Sequence, residues 1–436
     1  VYLHSITFTN VKLMRKVELK FADAEDEVRL WTVLIGENGT CKTTILQAIA
    51  LAASGHVGAN QLIEGGVPLT DLRGNGHAKR SAEVFATFSV PVPPRGAQAV
   101  AIPPGAGPWV QSHITARPGS SQLECSSNYI DNPADATPLG DKDPVAAARQ
   151  FNLGGWLVAG YGVVRDLPLP ASARQTTNEA IDRVAPLFGR GSLVATDHAT
   201  QLPEGWRAAY KSILKSLFTG NEGLAPHVAG VELRGQGGLA EAQRFGFKAG
   251  TGTVKVPATY LSQGYQSTIA WIADLVGRMF KDNDRPINPE DMRGVVLVDE
   301  IDLHLHPAWQ LKIARALKTA FPQVQFIATT HSPLVLPGLE PNEIIGLRWD
   351  EDGHVVSVPF DADPAFMTGT QIYRRFFGVE NTYLTEAAQL LQKYNYLASN
   401  ALRSNEEDAD LQTVRQQLAA LSALPDWEPV ERESRT

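Results

Sequence analysis

The run Gly36-Glu37-Asn38-Gly39-Thr40-Cys41-Lys42-Thr43-Thr44 lies between an apolar stretch, Leu30-Trp31-Thr32-Val33-Leu34-Ile35, and a helix-forming stretch, Thr43 to Ala52. Strand, glycine loop and helix in that order form a phosphate-binding loop, and such a loop belongs to a sheet whose strands alternate with helices. Main-chain N–H groups of Gly36 to Thr44 and the helix N-terminus would cradle a triphosphate. Lys42 would sit on its outer phosphates, and the Thr43 hydroxyl would bind Mg²⁺. A glycine turn before an ordinary helix is the plainer alternative, and the flanking strand and helix argue against it. One residue departs from the pattern: Cys41 stands where glycine ordinarily precedes the lysine. A thiol side chain there is expected to crowd the nucleotide or shift the loop and so to slow hydrolysis. Its place at a helix N-terminus beside Lys42 is expected to favour the thiolate, and hence oxidation.

Charge narrows what such a chain can bind. Lys plus Arg number 39 against 47 Asp plus Glu, a net charge of −8, so a broad electrostatic grip on nucleic acid is not expected from the whole surface. The two cysteines, Cys41 and Cys125, provide no disulfide framework and suit a reducing cytoplasm. Val1 to Ile6 lacks the charged and apolar regions of a signal peptide. No apolar run approaches the roughly 18 residues of a membrane span, so no membrane association is expected.

Four stretches are expected along the chain. Residues 1–56 read as alternating strands (Ile6, Phe8, Val11; Val17, Leu19, Phe21) followed by the P-loop helix. Residues 57–255 read as an antiparallel β-subdomain with a helical insertion. Its Gly- and Pro-rich loops (Gly65-Gly66, Pro91 to Pro94, Pro103 to Gly105, Pro118-Gly119) surround a strand at Ala82–Val90. A second strand ends at Tyr161-Gly162, helices are expected near 172–188 and 204–219, and short strands near 227–234 and 242–248. Residues 256–368 hold the densest signals: Leu261-Ser262-Gln263-Gly264 before an amphipathic helix from Thr268 to Phe280, the apolar strand Gly294–Val298 ending in Asp299-Glu300, and the strand Gln325–Thr330 ending in His331. The tail, 369–436, reads as two helices near 383–403 and 406–424. The fold class is α/β, with ligand chemistry at the carboxyl ends of the parallel strands.

Four sequence-distant elements fit one reaction. Beside a P-loop, Asp299 would hold Mg²⁺ and Glu300 would polarise the attacking water. Ser262 and Gly264 would present a hydroxyl and main-chain donors at a helix N-terminus, suited to a γ-phosphate; a Ser N-cap with a glycine turn is the plain alternative. His331 is placed to bond the terminal phosphate and the water. Alone, it would read as a structural histidine. His304 and His306 alternate without further ligands and do not define a metal site. Asp361-Ala362-Asp363-Pro364 reads as a turn.

These motifs, in this order, resemble the ABC-type ATPase superfamily. Within it, Asp299-Glu300-Ile301-Asp302-Leu303-His304-Leu305-His306-Pro307 and Thr329-Thr330-His331-Ser332-Pro333 are similar to the ATPases related to RecF, SMC and OLD proteins. The resemblance covers the two ends of the ATPase core well and residues 57–255 loosely. It implies a head-to-tail homodimer or higher oligomer with ATP between protomers, so that Gly36 to Thr44, Asp299, Glu300 and His331 of one meet Ser262 and Gly264 of another. Asp302 to Pro307 matches the D-loop that crosses this interface. The glutamine loop has no clear counterpart. Tyr161-Gly162-Val163-Val164-Arg165 lies in the right region, where Arg165 could reach phosphate or form a structural ion pair.

Residues 45–260 separate P-loop from signature without heptads for a coiled coil, and no second nuclease-like acidic cluster follows His331. Phe376-Phe377-Gly378-Val379 and the tail helices are similar to the PtuA-like ATPases of Septu antiphage systems, which act with an HNH-type nuclease on DNA. The implied role is an ABC-type ATPase head, with ATP and Mg²⁺, that controls such a partner. The helix face carrying Leu384, Ala387, Ala388, Leu391, Tyr394 and Leu397 either docks the partner or packs on its own domain. Two other roles stay open: a slow or non-hydrolysing nucleotide sensor, and a RecF-like DNA repair ATPase.

Overall fold

The computed structural model describes residues 1–23, 25–64, 80–89, 109–130, 145, 156–165, 179–190, 193, 203–219, 223–225, 227–233, 243–249, 251–283, 286–379 and 385–431. The loops expected at Gly65-Gly66, Pro91 to Pro94 and Pro103 to Gly105, the start of the helix expected at 172–188, and Leu384 lie outside the described residues. The chain divides into two compact units, Val1–Phe366 and Met367–Thr436.

The first unit opens with a hairpin, β1 (Leu3–Val11) and β2 (Met14–Lys20), whose alternating burial puts one side of each strand in the core. Then follow β3 (Trp31–Gly36), α1 (Lys42–Ala52) and α2 (Gly55–Glu64). Three more strands, β4 (Ala82–Ser89), β5 (Trp109–Ala116) and β6 (Glu124–Ile130), complete an antiparallel sheet of order β2-β1-β4-β5-β6. The antiparallel layer thus takes two strands from before residue 56 and three from after it. Phe8, Val17, Val84, Phe88, Val110 and Ile114 from this sheet share one buried cluster with Ile45, Leu46 and Ile49 of α1. Burial of that shared face is what fixes the layer over the P-loop helix.

The central sheet is built from strands far apart in sequence: β7 (Val158–Tyr161), then, after the intervening elements, β11 (Gly294–Val298), β12 (Val324–Thr329), β13 (Ile344–Trp349) and β14 (Val355–Pro359). Its order is β14-β13-β3-β12-β11-β7, and every pair except β13–β14 is parallel. Strands β7, β11 and β12 are buried at every position, the pattern of parallel strands covered on both faces. The carboxyl ends of β3, β12 and β11 are therefore neighbours, which brings residues 36, 299 and 330 to one edge.

Between β7 and β11 lie α3 (Glu204–Phe218), a three-stranded antiparallel sheet of β8 (Val228–Leu233), β9 (Gln243–Ala249) and β10 (Gly252–Pro257), and the helix α4 (Gln263–Asn283). Helix α4 begins five residues ahead of the expected Thr268, so Gly264 lies in its first turn. Helix α5 (Ile313–Ala320) connects β11 to β12.

The second unit begins with α6 (Gly369–Phe377), opened by a Thr368–Gln371 capping box and closed by Gly378 at φ 68°. Helices α7 (Thr385–Ser399) and α8 (Asn405–Ala420) form the expected hairpin around Tyr394, Leu397, Ala398, Leu411, Val414 and Leu418. In the connecting turn, buried Arg403 donates to the carbonyls of Leu397 (3.0 Å), Asn400 (2.7 Å) and Val430 (2.9 Å). Of the two alternatives for the face carrying Tyr394 and Leu397, docking a partner or packing on its own domain, the structure has the second: both are core residues of the hairpin, with Leu391 packed against them. That face is occupied by α8.

Candidate nucleotide site

The site is assembled by register. Because β11 and β12 pair with Val298 opposite Ala328, the next residues, Asp299 and Thr329, stand side by side. The Thr329 hydroxyl donates to Asp299 Oδ1 at 2.6 Å and accepts the main-chain N–H of Glu300 at 2.7 Å. The parallel pairing of β12 with β3 sets Thr329 opposite Leu34, and the P-loop follows directly. Thr43 at the start of α1 donates to Asp299 Oδ2 at 2.8 Å. The loop and the acidic strand end thus meet through one buried carboxylate, 5% exposed. A hydroxyl and a carboxylate are hard oxygen donors, and the pair fits the Mg²⁺ that the motif implies.

Lys42 is buried, and its Nζ donates to the Gly36 and Glu37 carbonyls, both at 2.8 Å. Burial pushes its pKa down, against the opposing pull of Asp299 and Glu300. Glu37, Asn38, Gly39 and Thr43 are exposed. Thr40 is buried and donates to the Glu37 carbonyl at 2.8 Å. Thr44 accepts from Lys12 Nζ at 2.8 Å. Lys12 comes from the β1–β2 turn at φ 47°, so a second ammonium stands at the start of α1. On the other side, the Trp349 indole at the end of β13 comes within 3.5 Å of where a Cβ on Gly39 would lie.

Cys41 adopts φ 65° and ψ 17°, the left-handed conformation that glycine takes without cost. Its side chain is 8% exposed and belongs to the core cluster shared by α1 and the β1–β2 hairpin, with Sγ 3.7 Å from the Gly39 carbonyl. Burial raises the thiol pKa, outweighing the main-chain bond from Leu13 and the charges of Lys12 and Lys42. The expected thiolate is therefore disfavoured: the helix end and Lys42 do act in its favour, but desolvation is the larger effect.

Glu300, half-buried, has φ 47°. Arg165, 3% exposed, donates from Nη2 to the Glu300 carbonyl at 2.6 Å. Burial lowers the Arg165 pKa to about 10, against the charges of Asp299, Asp302 and Glu300, so it remains a cation at neutral pH. Asp302 accepts a hydrogen bond from the Thr330 hydroxyl. His331 is exposed just past β12, and the next residue, Ser332, donates to Gln310 Oε1 at 2.7 Å.

Ser262 is exposed, and Gly264 is buried against the Asp302–Pro307 segment of its own chain. A Cβ on Gly264 would lie 2.4 Å from the His304 carbonyl, a contact only glycine permits. Tyr265 anchors the same turn edge-on to Trp309, with ring centroids 4.3 Å apart. The structure thus brings together Gly36 to Thr44, Asp299, Glu300 and Thr329, while Gly264 sits against His304 and Ser262 is exposed two residues earlier. Among the residues that line this site, Thr329, Lys12 and Trp349 were given no role by the sequence. Thr329 carried a signal, since a hydroxyl on the strand neighbouring Asp299 is placed by register alone.

A six-stranded, largely parallel sheet with a P-loop on β3, an acidic pair after β11, a histidine after β12 and an antiparallel layer over the P-loop helix is the fold of an ABC-type P-loop ATPase head. Residues 175–336 match the family described as "AAA domain, putative AbiEii toxin, Type IV TA system". The Septu protein PtuA of Bacillus mycoides is 25% identical over 427 residues, 96% of this chain and 50% of that protein. The retron Ec83 probable ATPase of Escherichia coli is 45% identical over 91 residues, 21% of this chain and 17% of that protein. The SMC head domain from Thermotoga maritima superposes with a TM-score of 0.44 at 15% identity, covering 83% of this chain and 100% of that one. The chain has the fold of an ABC-type ATPase head and is similar in sequence to the PtuA-like defence group. It spans half the length of the Bacillus mycoides relative and a smaller share of the retron protein. Among the described residues no helix is long and apolar enough to cross a membrane.

Proposed function

We propose that this chain binds and hydrolyses ATP with Mg²⁺, pairs head-to-tail with a second copy around the nucleotide, and controls a partner nuclease acting on DNA in antiphage defence. The observation that carries the reading is the 2.8 Å bond from Thr43 to Asp299, which joins the P-loop to the acidic strand end. Bound there, Mg²⁺ would draw charge from the phosphates. The P-loop N–H groups, Lys42 and Lys12 hold the phosphates, Glu300 takes the proton of the attacking water, and His331 steadies that water and the terminal phosphate.

The head-to-tail pairing is supported by where the signature lies. Gly264 packs on His304 of its own D-loop, and Ser262, two residues earlier, is exposed, leaving its hydroxyl available to the site of another copy. The partner nuclease follows from the likeness to Septu PtuA, and the net charge of −8 favours DNA contact through the complex over contact by this chain alone. Phosphate release by the wild type and by Glu300→Gln tests the core of the reading. The variant is expected to bind ATP and hold it, with dimers accumulating in size-exclusion chromatography. Equal turnover by the two chains would remove Glu300 as the base. Co-purification with the product of the adjacent gene, followed by a DNA cleavage assay at varied ATP, tests the partner. Cleavage by this chain alone would count against it.

A slower, nucleotide-sensing mode is favoured by one observation, the left-handed Cys41 in the glycine position of the loop. A turnover below one per minute with tight ATP binding would mark that mode.

A further inference from the structure

We propose that Arg165 is the positioning residue for Glu300, and that it acts by clamping the Glu300 peptide and aiming the carboxylate. The proposal rests on the reading of Glu300 as the base. Glu300 has a left-handed backbone, φ 47°, which a glutamate does not hold without support. Both ends of its main chain are fixed. The N–H donates to Thr329 Oγ1 at 2.7 Å, and the carbonyl accepts from Arg165 Nη2 at 2.6 Å. Thr329 is tied in turn to Asp299, so the clamp links the base to the metal-binding acid.

The use made of the guanidinium is informative. An arginine paired with a carboxylate is frequently bidentate, with two parallel bonds. Arg165 stands among the charges of Asp299, Glu300 and Asp302, yet its short bond goes to a main-chain oxygen, and its buried Nε lacks a partner. Burying a cation and leaving an N–H without a partner are both costly. The arrangement persists because the turn it holds carries the acidic pair. Arg165 reaches that turn from the strand next door: β7 pairs with β11 with Tyr161 opposite Val298, and Arg165 lies just beyond the end of β7.

The test compares steady-state turnover and equilibrium ATP binding in the full chain. Arg165→Ala is expected to lower kcat about a hundredfold, the effect of misplacing a reacting group by an ångström, with ATP affinity within a few fold of wild type. Arg165→Lys, which can reach a single carbonyl, is expected to recover part of the loss. In a Glu300→Gln background, Arg165→Ala should cost nothing further, because a residue that acts through another loses its effect when that other is gone. Independent, multiplying losses would overturn the proposal, as would a fall in ATP affinity that matches the fall in kcat. Thermal unfolding of each variant separates misplacement from misfolding; if Arg165→Ala does not fold, the Lys variant and its double with Glu300→Gln decide. An active wild type with an undiminished Arg165→Ala overturns this proposal alone. A wild type that binds ATP and releases no phosphate overturns the reading of Glu300 and the clamp with it.

Discussion

Cys41 and Glu300 stand on opposite sides of the site, and both take a left-handed backbone without being glycine, at φ 65° and 47°. The chain holds them by different means. Cys41 is held by burial: its side chain is part of the core between α1 and the β1–β2 hairpin, and it makes no capping bond to α1. Glu300 is half-exposed, and hydrogen bonds from two other strand ends hold its peptide. A left-handed residue kept by packing can give way to glycine, which adopts that backbone freely, whereas one kept by bonds fails when a donor or acceptor is removed. The P-loop side should therefore be robust and the acidic side fragile.

The largest effect is expected at the fragile side. Glu300→Gln keeps the side-chain shape and the clamped peptide but removes the base, so kcat should fall by about 10²- to 10⁴-fold with ATP binding retained. Single-turnover phosphate release measures it, and a loss below tenfold would mean the base lies elsewhere. Thr329→Val should follow. It leaves the Glu300 N–H without its acceptor and Asp299 Oδ1 without the Thr329 donor, while Thr43 still donates to Oδ2, at about 1–3 kcal/mol of folding stability. It should also cost roughly ten- to a hundredfold in kcat. Urea unfolding and turnover on the same preparation decide it. A variant as stable and as active as wild type would show that the acidic side is not held by this hydroxyl.

The robust side should respond weakly. Cys41→Gly removes about 1–2 kcal/mol of left-handed strain. It also gives up a buried thiol and adds the conformational freedom of glycine to the unfolded chain, a loss of similar size. Stability should shift by less than about 1 kcal/mol, with ATP affinity or turnover modestly raised. Unchanged binding and turnover would show that the loop accommodates the side chain fully. A large loss of stability would mean the thiol's packing is what forms the loop.

The same contrast explains what the sequence disclosed. The P-loop, the strand before Asp299 and the strand before His331 were legible because each is a contiguous apolar run ending in polar residues, and contiguous patterns survive in one dimension. Thr329, Lys12 and Trp349 were not, because each acts through a tertiary contact: Thr329 meets Asp299 30 residues away, Lys12 meets Thr44 32 residues away, and Trp349 reaches Gly39 through the pairing of β13 with β3. Arg165 was visible as a cation in the right region, but no pattern tells a carbonyl clamp from an ion pair. Helix α6 was missed although Thr368-x-x-Gln371 and Gly378 spell out both of its ends. Tyr394 and Leu397 were read correctly as an apolar face, whose occupant, α8, only the fold supplies.

The smallest expected effect tests burial itself. The Cys41 pKa is raised by desolvation, so in the folded chain the thiol keeps its proton at pH values where an exposed cysteine has begun to ionise. Two consequences share one sign. Since the thiolate is the nucleophile, iodoacetamide at neutral pH should modify the half-buried Cys125 first and Cys41 slowly, with the Cys41 rate rising only under alkaline conditions. Because the folded state binds this proton more tightly than the unfolded one, the contribution of Cys41 to stability is complete below the unfolded thiol's pKa. It declines as pH rises toward the folded value. The stability difference between wild type and Cys41→Gly should therefore drift in favour of the variant as pH is raised above 8. Peptide mapping of the alkylated chain and paired unfolding curves measure the two effects. Rapid labelling of Cys41 at pH 7 would mean that the helix end and Lys42 outweigh burial after all, and that the P-loop side is open to solvent rather than held by its core.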